Sequence, residues 1–199
     1  MKTITKKRIC AYLIDMFILF VFIGIGAMLT NVTENEKALR LELSEMNEKA
    51  VMRETSITSY LFHLSEISQD IDREHVAVGF INLVFVFIYF VFIPYFMEGK
   101  TFGKALMKIR VVDESGGEAT IHSLVIRNVV LNGLLYLFLS LLFIYIVPGI
   151  VPGILYLLMI SILGIIQLAL VIFSVFMVLY RKDGVGLHER LSHTRVVEV

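Results

Sequence analysis

Long uninterrupted runs of apolar residues dominate the hydrophobic pattern of this chain. The runs cover residues 9–30, 77–97 and 124–180. A helix needs about 20 apolar residues to cross the ~30 Å hydrocarbon core of a bilayer, so each of the first two runs has the length of one span. The third run is too long for one crossing, and PGIVPG at 148–153 interrupts it. The pattern therefore predicts an all-α membrane protein with four transmembrane helices, over 9–30, 77–97, 124–147 and 154–180.

Composition and charge agree with this pattern and predict an orientation. Of the 199 residues, 57% are hydrophobic and only 18% are charged, which is too apolar for a soluble domain. Lysine and arginine gather at 1–8, 98–123 and 181–199, and by the positive-inside rule these segments are predicted to be cytoplasmic. The segment at 31–76 has ten acids and five basic residues, a net charge of −5, and is predicted to lie outside. We therefore expect a single membrane domain with both termini in the cytoplasm.

The outer segment predicts two amphipathic helices that form a cap. Residues 34–54 are rich in helix-forming residues and contain neither proline nor glycine. A second apolar pattern begins at Ile57, directly after Thr55 and Ser56, which suit a helix N-cap. Two interpretations stay open: an acidic cap that shields the outer ends of the spans, or a cap that binds a partner or collects cations.

The loop at 98–123 predicts a short basic amphipathic helix and then a small hairpin. Its alternation of apolar residues and lysines is typical of a helix in the headgroup plane, so four residues are predicted to contact the membrane surface: Gly99, Lys100, Gly103 and Lys104. The run GKTFGK at 99–104 has one residue too few between its glycines for a phosphate-binding loop. Residues 109–112 and 119–121 alternate on either side of a glycine turn, like two paired strands.

An acidic residue, Asp15, lies inside the first predicted span. Arg8, Tyr12 and Asp15 are spaced i, i+4 and i+7, which places them on one helix face. If the span begins near residue 9, Asp15 lies roughly 10 Å into the bilayer. The third span has polar residues at a similar depth, and we expect them to meet Asp15 in the bundle interior: Arg127, Asn128 and Asn132.

Burial of Asp15 leaves two roles open. An acid inside a membrane costs about 2.5–3.5 kcal/mol on insertion scales, so it should pair with a cation or hold a proton. Tight pairing with Arg8 or Arg127 would make Asp15 a structural clamp between the first and third spans. Loose pairing, with exchange of a proton for a cation, would make it a transport site.

Enzyme chemistry has little support in the sequence. No nucleophile–base set or glycine-rich nucleotide loop is evident, and the histidines of HERLSH at 188–193 are five residues apart, which differs from the zinc-protease spacing. We expect no catalytic residues, no cofactor, no metal site and no nucleic-acid partner. The expected partners are the lipid bilayer, monovalent cations and protons, and either a second copy of the chain or another membrane protein.

Three motifs in order along the chain resemble one known family. They are RICAYLID at 8–15, GKTFGK at 99–104 followed by KIRVVD at 108–113, and LHERLSHTRVV at 187–197. Together they resemble the RDD family of small bacterial multi-pass membrane proteins, which is named for one arginine and two aspartates. The resemblance covers nearly the whole chain except the outer segment.

The resemblance carries specific residues with it. Arg8 and Asp15 match the arginine and the aspartate of the family's first helix. In the tail, where the family commonly has His-Asp, this sequence has His188 and Glu189, with Thr194 in register. The resemblance implies a bacterial cell-membrane location and a recurring arginine–acid arrangement. Cation/proton exchange is proposed for some members and accessory or scaffold roles for others, and both are hypotheses for this chain.

Overall fold

The computed structural model describes residues 2–30, 32–146 and 152–199, and this part of the chain is helical apart from one two-stranded sheet. A π-helical turn lies at Ile88–Phe92. The helices are α1 (Lys2–Leu29), α2 (Glu34–Val51), α3 (Ile57–Glu74), α4 (Val76–Phe87), α5 (Ile93–Phe96), α6 (Phe102–Leu106), α7 (Ile121–Leu131), α8 (Leu134–Ile146), α9 (Gly153–Tyr180) and α10 (Leu187–Ser192). The strands are β1 (Ile109–Asp113) and β2 (Thr194–Glu198).

Three helical segments are long and apolar enough to cross a membrane: Ile4–Met28, Val76–Phe96 and Gly153–Tyr180. The pair formed by α7 and α8 passes the same test when taken as one span, although the two helices are bent by 76°. The described chain therefore has three candidate spans, or four if the bent pair counts as one.

The third predicted span, 124–147, consists of two helices, α7 and α8, which the sequence pattern did not predict, and residue 147 lies outside the described residues. The break lies at Asn132 and Gly133, and Gly133 has a φ of +64°, in the left-handed region that favours glycine. Gln167 of α9 donates to the carbonyl of Val130 at 2.9 Å, which satisfies a backbone group near the end of α7. The predicted turn at 148–153 lies largely outside the described residues, and α9 begins at Gly153.

Two helices, α2 and α3, occupy the segment for which two helices were predicted. The Ser56 hydroxyl caps α3 by accepting from the Ser59 amide at 3.2 Å. Helix α3 packs on both α2 and α9. The Tyr156 hydroxyl of α9 donates to Asp72 of α3 at 2.8 Å. The two helices thus fold back against the beginning of α9.

The hairpin predicted within the 98–123 loop is wrong. Strand β1 pairs antiparallel with β2 of the tail, with Val111 opposite Val196. Within the described loop, residues 119–121 form no strand, and Glu118, directly before them, makes an isolated bridge with Val112. The reason is that Thr120 starts a helix: its hydroxyl accepts from the Ser123 amide at 3.2 Å and caps α7.

The loop and the tail form one layer across the same end of the helices. Helix α6 packs on α1, and α10 packs on α7 and α9. The β1–β2 sheet lies beside α6 and α10, and the Val199 amide donates to the Lys108 carbonyl at 3.0 Å. This layer covers the end of the bundle that contains Asp15.

Candidate functional site

Asp15 is bound by neutral donors, in a group of residues that we name the Asp15 site. Its side chain in α1 is buried, at 1% exposure. The Tyr89 hydroxyl and the Gly103 amide donate to Oδ1 at 2.7 and 2.8 Å. The Thr101 hydroxyl donates to Oδ2 at 2.6 Å. A carboxylate has about four acceptor positions, so one position on Oδ2 has no donor among the described residues.

The loop before α6 is shaped to deliver two of these donors. Gly99 has a φ of +84°, and a Cβ there would collide with the backbone of Val111. Thr101 is the N-cap of α6, so its hydroxyl accepts from the Lys104 amide while donating to Asp15. Gly103 approaches α1 so closely that a Cβ would lie 2.7 Å from Asp15 Oδ1. Both glycines are thus required by close backbone approach.

The π-helical turn positions the third donor. Tyr89 and Phe90 lie in this turn, and both are buried. In a regular α-helix the Phe90 carbonyl would accept from the amide of residue 94, but Pro94 has no N–H. The Asn128 side-chain amide donates to that carbonyl instead, at 2.8 Å. Asn128 therefore ties α7 to the turn that holds Tyr89.

Glu189 is bound by charged donors, in a second group that we name the Glu189 site. Its side chain is also 1% exposed. Arg8 Nη2 donates to Oε2 at 2.6 Å, and Arg127 Nη1 lies 3.8 Å from Oε1. The Gly186 amide donates to Oε2 at 2.9 Å, and Arg8 also donates to the Gly184 carbonyl. One acid of the tail therefore joins α1 to α7.

The residues on either side of Glu189 fix the tail in the same place. His188 Nδ1 lies 2.5 Å from the Ser174 hydroxyl of α9. Arg127 donates to the Thr194 hydroxyl at 3.1 Å. Burial is the main reason that the pKa of His188 is well below its usual value, and Arg127 acts in the same direction. His188 is therefore neutral at pH 7.

A cavity of about 310 Å³ lies between the Asp15 and Glu189 sites. Its polar lining contains all five residues of the predicted charge cluster, together with Tyr12 and one residue each from the loop and the tail. These polar residues are Arg8, Tyr12, Asp15, Lys104, Arg127, Asn128, Asn132 and His188. The rest of its wall is apolar and comes largely from α1 and α9.

A short chain of hydrogen bonds lines one side of this cavity. Tyr12 donates to Asn132 Oδ1 at 3.3 Å, and Asn132 donates to Asn128 Oδ1 at 2.5 Å. The predicted shared face of Tyr12 and Asp15 thus faces the polar residues of α7 and the break that follows it. Within the described ranges, no three His, Cys, Asp or Glu side chains are arranged to hold a metal ion.

Lys104 differs from the two arginines of the cavity in its surroundings and in its pKa. No acid lies within ion-pair distance of its ammonium among the described residues. Burial lowers the pKa of Lys104 to about 7, and Arg127 acts in the same direction. Asp15 opposes this shift, Arg8 adds to it, and Glu189 opposes it. Near neutral pH, Lys104 can therefore both gain and lose a proton.

Two expectations about the predicted site residues need correction. Asp15 pairs with neither Arg8 nor Arg127, because Glu189 takes both guanidinium groups. Gly103 and Lys104 are directed to the bundle interior rather than to headgroups, because Gly103 has no side chain and so lets α6 rest on α1. The other two predicted surface residues precede α6. Gly99 has a positive φ in the turn before this helix, and Lys100 Nζ lies 3.7 Å from Glu98 Oε2.

Sequence reasoning missed three residues that complete the site. Tyr89 and Ser174 lie in apolar spans, where a single hydroxyl gives no distinctive pattern. Thr101 had a usable signal, because threonine three residues before a lysine-rich turn fits an N-cap. That signal places the helix start but not the hydroxyl's second partner, Asp15.

Comparison with known proteins agrees with the family resemblance of the sequence motifs. The model of the RDD family matches residues 5–193, which is nearly the whole chain and includes every member of the Asp15 and Glu189 sites. No curated protein and no solved structure matches the chain. With its spans, its arginine–acid arrangement and this match in agreement, the chain belongs to the RDD family.

Proposed function

We propose that the protein exchanges a monovalent cation for a proton across the membrane, with Lys104 carrying the proton and Asp15 holding the cation. The observation that carries this proposal is the single cavity that these two side chains share. A lysine whose pKa is about 7 changes its charge in the range where such an exchange would work. Asp15 supplies the negative charge that a cation needs.

Charge balance supports a one-for-one exchange. Arg8 and Arg127 face the single negative charge of Glu189, which leaves one positive charge in the Glu189 site. Asp15 and protonated Lys104 together add no net charge. If Lys104 loses its proton, the cavity loses one positive charge, and a monovalent cation at Asp15 restores it. The proton on Lys104 and the cation at Asp15 therefore supply the same positive charge, so binding of one favours loss of the other.

Oxygen ligands for a cation are available beside Asp15. The unoccupied acceptor position on Asp15 Oδ2 is one, and Asn132 and Tyr12 contribute further oxygens to the cavity lining. Carbonyl and carboxylate oxygens replace the hydration shell of ions such as Na⁺ and K⁺. The Asp15 site keeps its shape without a cation, because its three donors come from the protein.

The experiment is dequenching of a pH-sensitive dye in everted vesicles after Na⁺, Li⁺ or K⁺ is added. We expect a cation-dependent proton flux from the unchanged protein and none from Asp15→Asn or Lys104→Met at equal expression. Lys182→Met is the matched control, because it removes an exposed lysine of the tail outside the cavity. The flux should fall as the pH drops below about 7, since Lys104 then keeps its proton.

Absence of flux above that of empty vesicles would overturn the exchange proposal. A flux that survives in Lys104→Met would overturn the role of Lys104. Either result would favour the other hypothesis, in which this membrane protein is an accessory or scaffold subunit. Co-purification with a distinct membrane protein would then be the result to seek.

A further inference from the structure

The cavity has an opening between α1 and α9. In the described chain, α1 packs mainly on α4 and α6, whereas α9 packs on α3, α7, α8 and α10. The two helices make no extended contact with each other there, although both line the cavity. Leu13 of α1 and Leu179 of α9 lie in this lining and are 62% and 53% exposed. The opening therefore lies between two candidate spans, where lipid would surround the protein.

The lining combines an apolar path with positive charge at its inner end. Apolar residues of α1 and α9 form the path: Ile9, Leu13, Val171, Val175, Val178 and Leu179. The cations at the inner end are Lys104, Arg127 and Arg8. The two guanidiniums share one carboxylate, Glu189, and no acid lies within ion-pair distance of the Lys104 ammonium among the described residues.

We propose that this cavity binds a monoanionic lipid that enters between α1 and α9, with its headgroup at Lys104 and its acyl chain along the apolar path. Charge complementarity argues for this occupant, because three cations (Arg8, Lys104 and Arg127) against two acids (Asp15 and Glu189) leave one positive charge, which matches one negative charge. The apolar walls argue for a lipid over a free anion, since burying a chain there removes apolar surface from contact with water. A cavity of about 310 Å³ suits a compact headgroup such as a carboxylate.

The inference goes beyond the proposed exchange, because binding requires no proton transfer. It also links to the exchange. A bound anion stabilises the protonated form of Lys104, so that the lysine no longer releases its proton to a cation. A monoanionic lipid would therefore inhibit exchange at the same cavity, and its level in the membrane would set the activity.

The test is binding of palmitate to the purified full-length protein in a nonionic detergent, with two comparison probes. Hexadecanol has the same chain without the charge, and acetate has the charge without the chain. We expect palmitate to bind at least tenfold more tightly than hexadecanol, because one charge-assisted hydrogen bond at Lys104 contributes about that factor. We expect at least the same margin over acetate, because only palmitate buries an apolar chain. Equal binding of hexadecanol, or equal binding of acetate, overturns the proposal.

Two variants locate the binding site. Lys104→Met should weaken palmitate binding about tenfold, whereas Lys182→Met should leave it unchanged. Val175→Trp should weaken palmitate binding while Lys104 stays in place, because the larger side chain fills the apolar path. Unchanged binding in both cavity variants, with folding checked by circular dichroism, contradicts the assignment. These measurements use no ion gradient, so their failure and a failure of exchange are separate results.

Discussion

Asp15 and Glu189 are equally buried, but their surroundings differ in kind. Among the described residues, Asp15 accepts from a phenol, a hydroxyl and an amide, and one of its acceptor positions has no donor. Glu189 is held by two guanidinium groups and a backbone amide. The neutral donors bind the Asp15 carboxylate but do not offset its charge, whereas the two buried cations beside Glu189 require a negative partner. The comparison separates an acid without a guanidinium partner, which we propose holds the cation, from an acid whose ion pairs anchor the tail.

The largest effect is expected from replacing Glu189, the acid that anchors the tail. Glu189→Gln keeps the side-chain shape but leaves Arg8 and Arg127 without a counter-charge, so we expect a loss of about 3–5 kcal/mol in the free energy of unfolding. Denaturant unfolding in detergent, followed by circular dichroism, measures this loss. Glu198→Gln is the control. Glu198 pairs with Lys7 at the surface, and such an ion pair should contribute less than about 1 kcal/mol to the free energy of unfolding. Equal losses in the two variants would remove the distinction.

The next largest effect is expected from a substitution that disrupts the Asp15 site without changing any charge. Gly103→Ala should cost about 2–3 kcal/mol, because the added Cβ collides with the Ala11 carbonyl and with Asp15. The same unfolding measurement applies. Gly117→Ala in the same loop is the matched control, because its Cβ would lie 3.7 Å from Ser115, an ordinary contact. A loss in Gly103→Ala no larger than in Gly117→Ala would show that close approach of α6 to α1 is unimportant.

A smaller effect is expected from neutralising Asp15. Asp15→Asn keeps an oxygen for Tyr89 and Gly103, and the Thr101 hydroxyl can rotate to accept from the new amide. We therefore expect a loss of about 1 kcal/mol, which is the contribution of roughly one neutral hydrogen bond. The free energy of unfolding, compared directly with that of Glu189→Gln, tests this. A loss as large as that of Glu189→Gln would mean that Asp15 is also a clamp.

The smallest effect is a pH dependence at the tail. Because burial and nearby cations hold the pKa of His188 well below its usual value, the unfolded chain takes up a proton first as the pH falls below about 6.5. Stability is therefore lost on acidification, and above that pH His188 makes no such contribution. Arg127, Arg8 and Lys104 oppose its protonation, and Glu189 lies 3.9 Å away.

The measurement for this pH effect is the melting temperature between pH 7 and pH 5. His188→Gln should lower the acid sensitivity, because the replacement does not titrate. His122→Gln, at an exposed position, should melt with the same pH dependence as the unchanged protein. If His188→Gln and the unchanged protein lose stability in parallel, another group is responsible.

The apolar pattern was sufficient to predict the long helices, because the length of a span depends on local sequence. It was insufficient for the break at Gly133 and for the π-helical turn, because each depends on a neighbouring helix that supplies a partner. The charged residues were identified but paired wrongly. Asp15 and Glu189 were both available to Arg8 and Arg127, and only the docking of the tail decides which acid takes them. The β1–β2 sheet was missed for the same reason, since its strands are far apart in sequence.

The most direct test of the difference between the two acids is proton release on cation binding to the purified protein. A cation is added to the protein in weakly buffered detergent solution near pH 7, and the released protons are titrated. The account predicts release of up to about one proton per chain, since cation and proton compete at the cavity. That release should be absent in Lys104→Met and in Asp15→Asn. Cation binding without proton release, or full release in Lys104→Met, would contradict it.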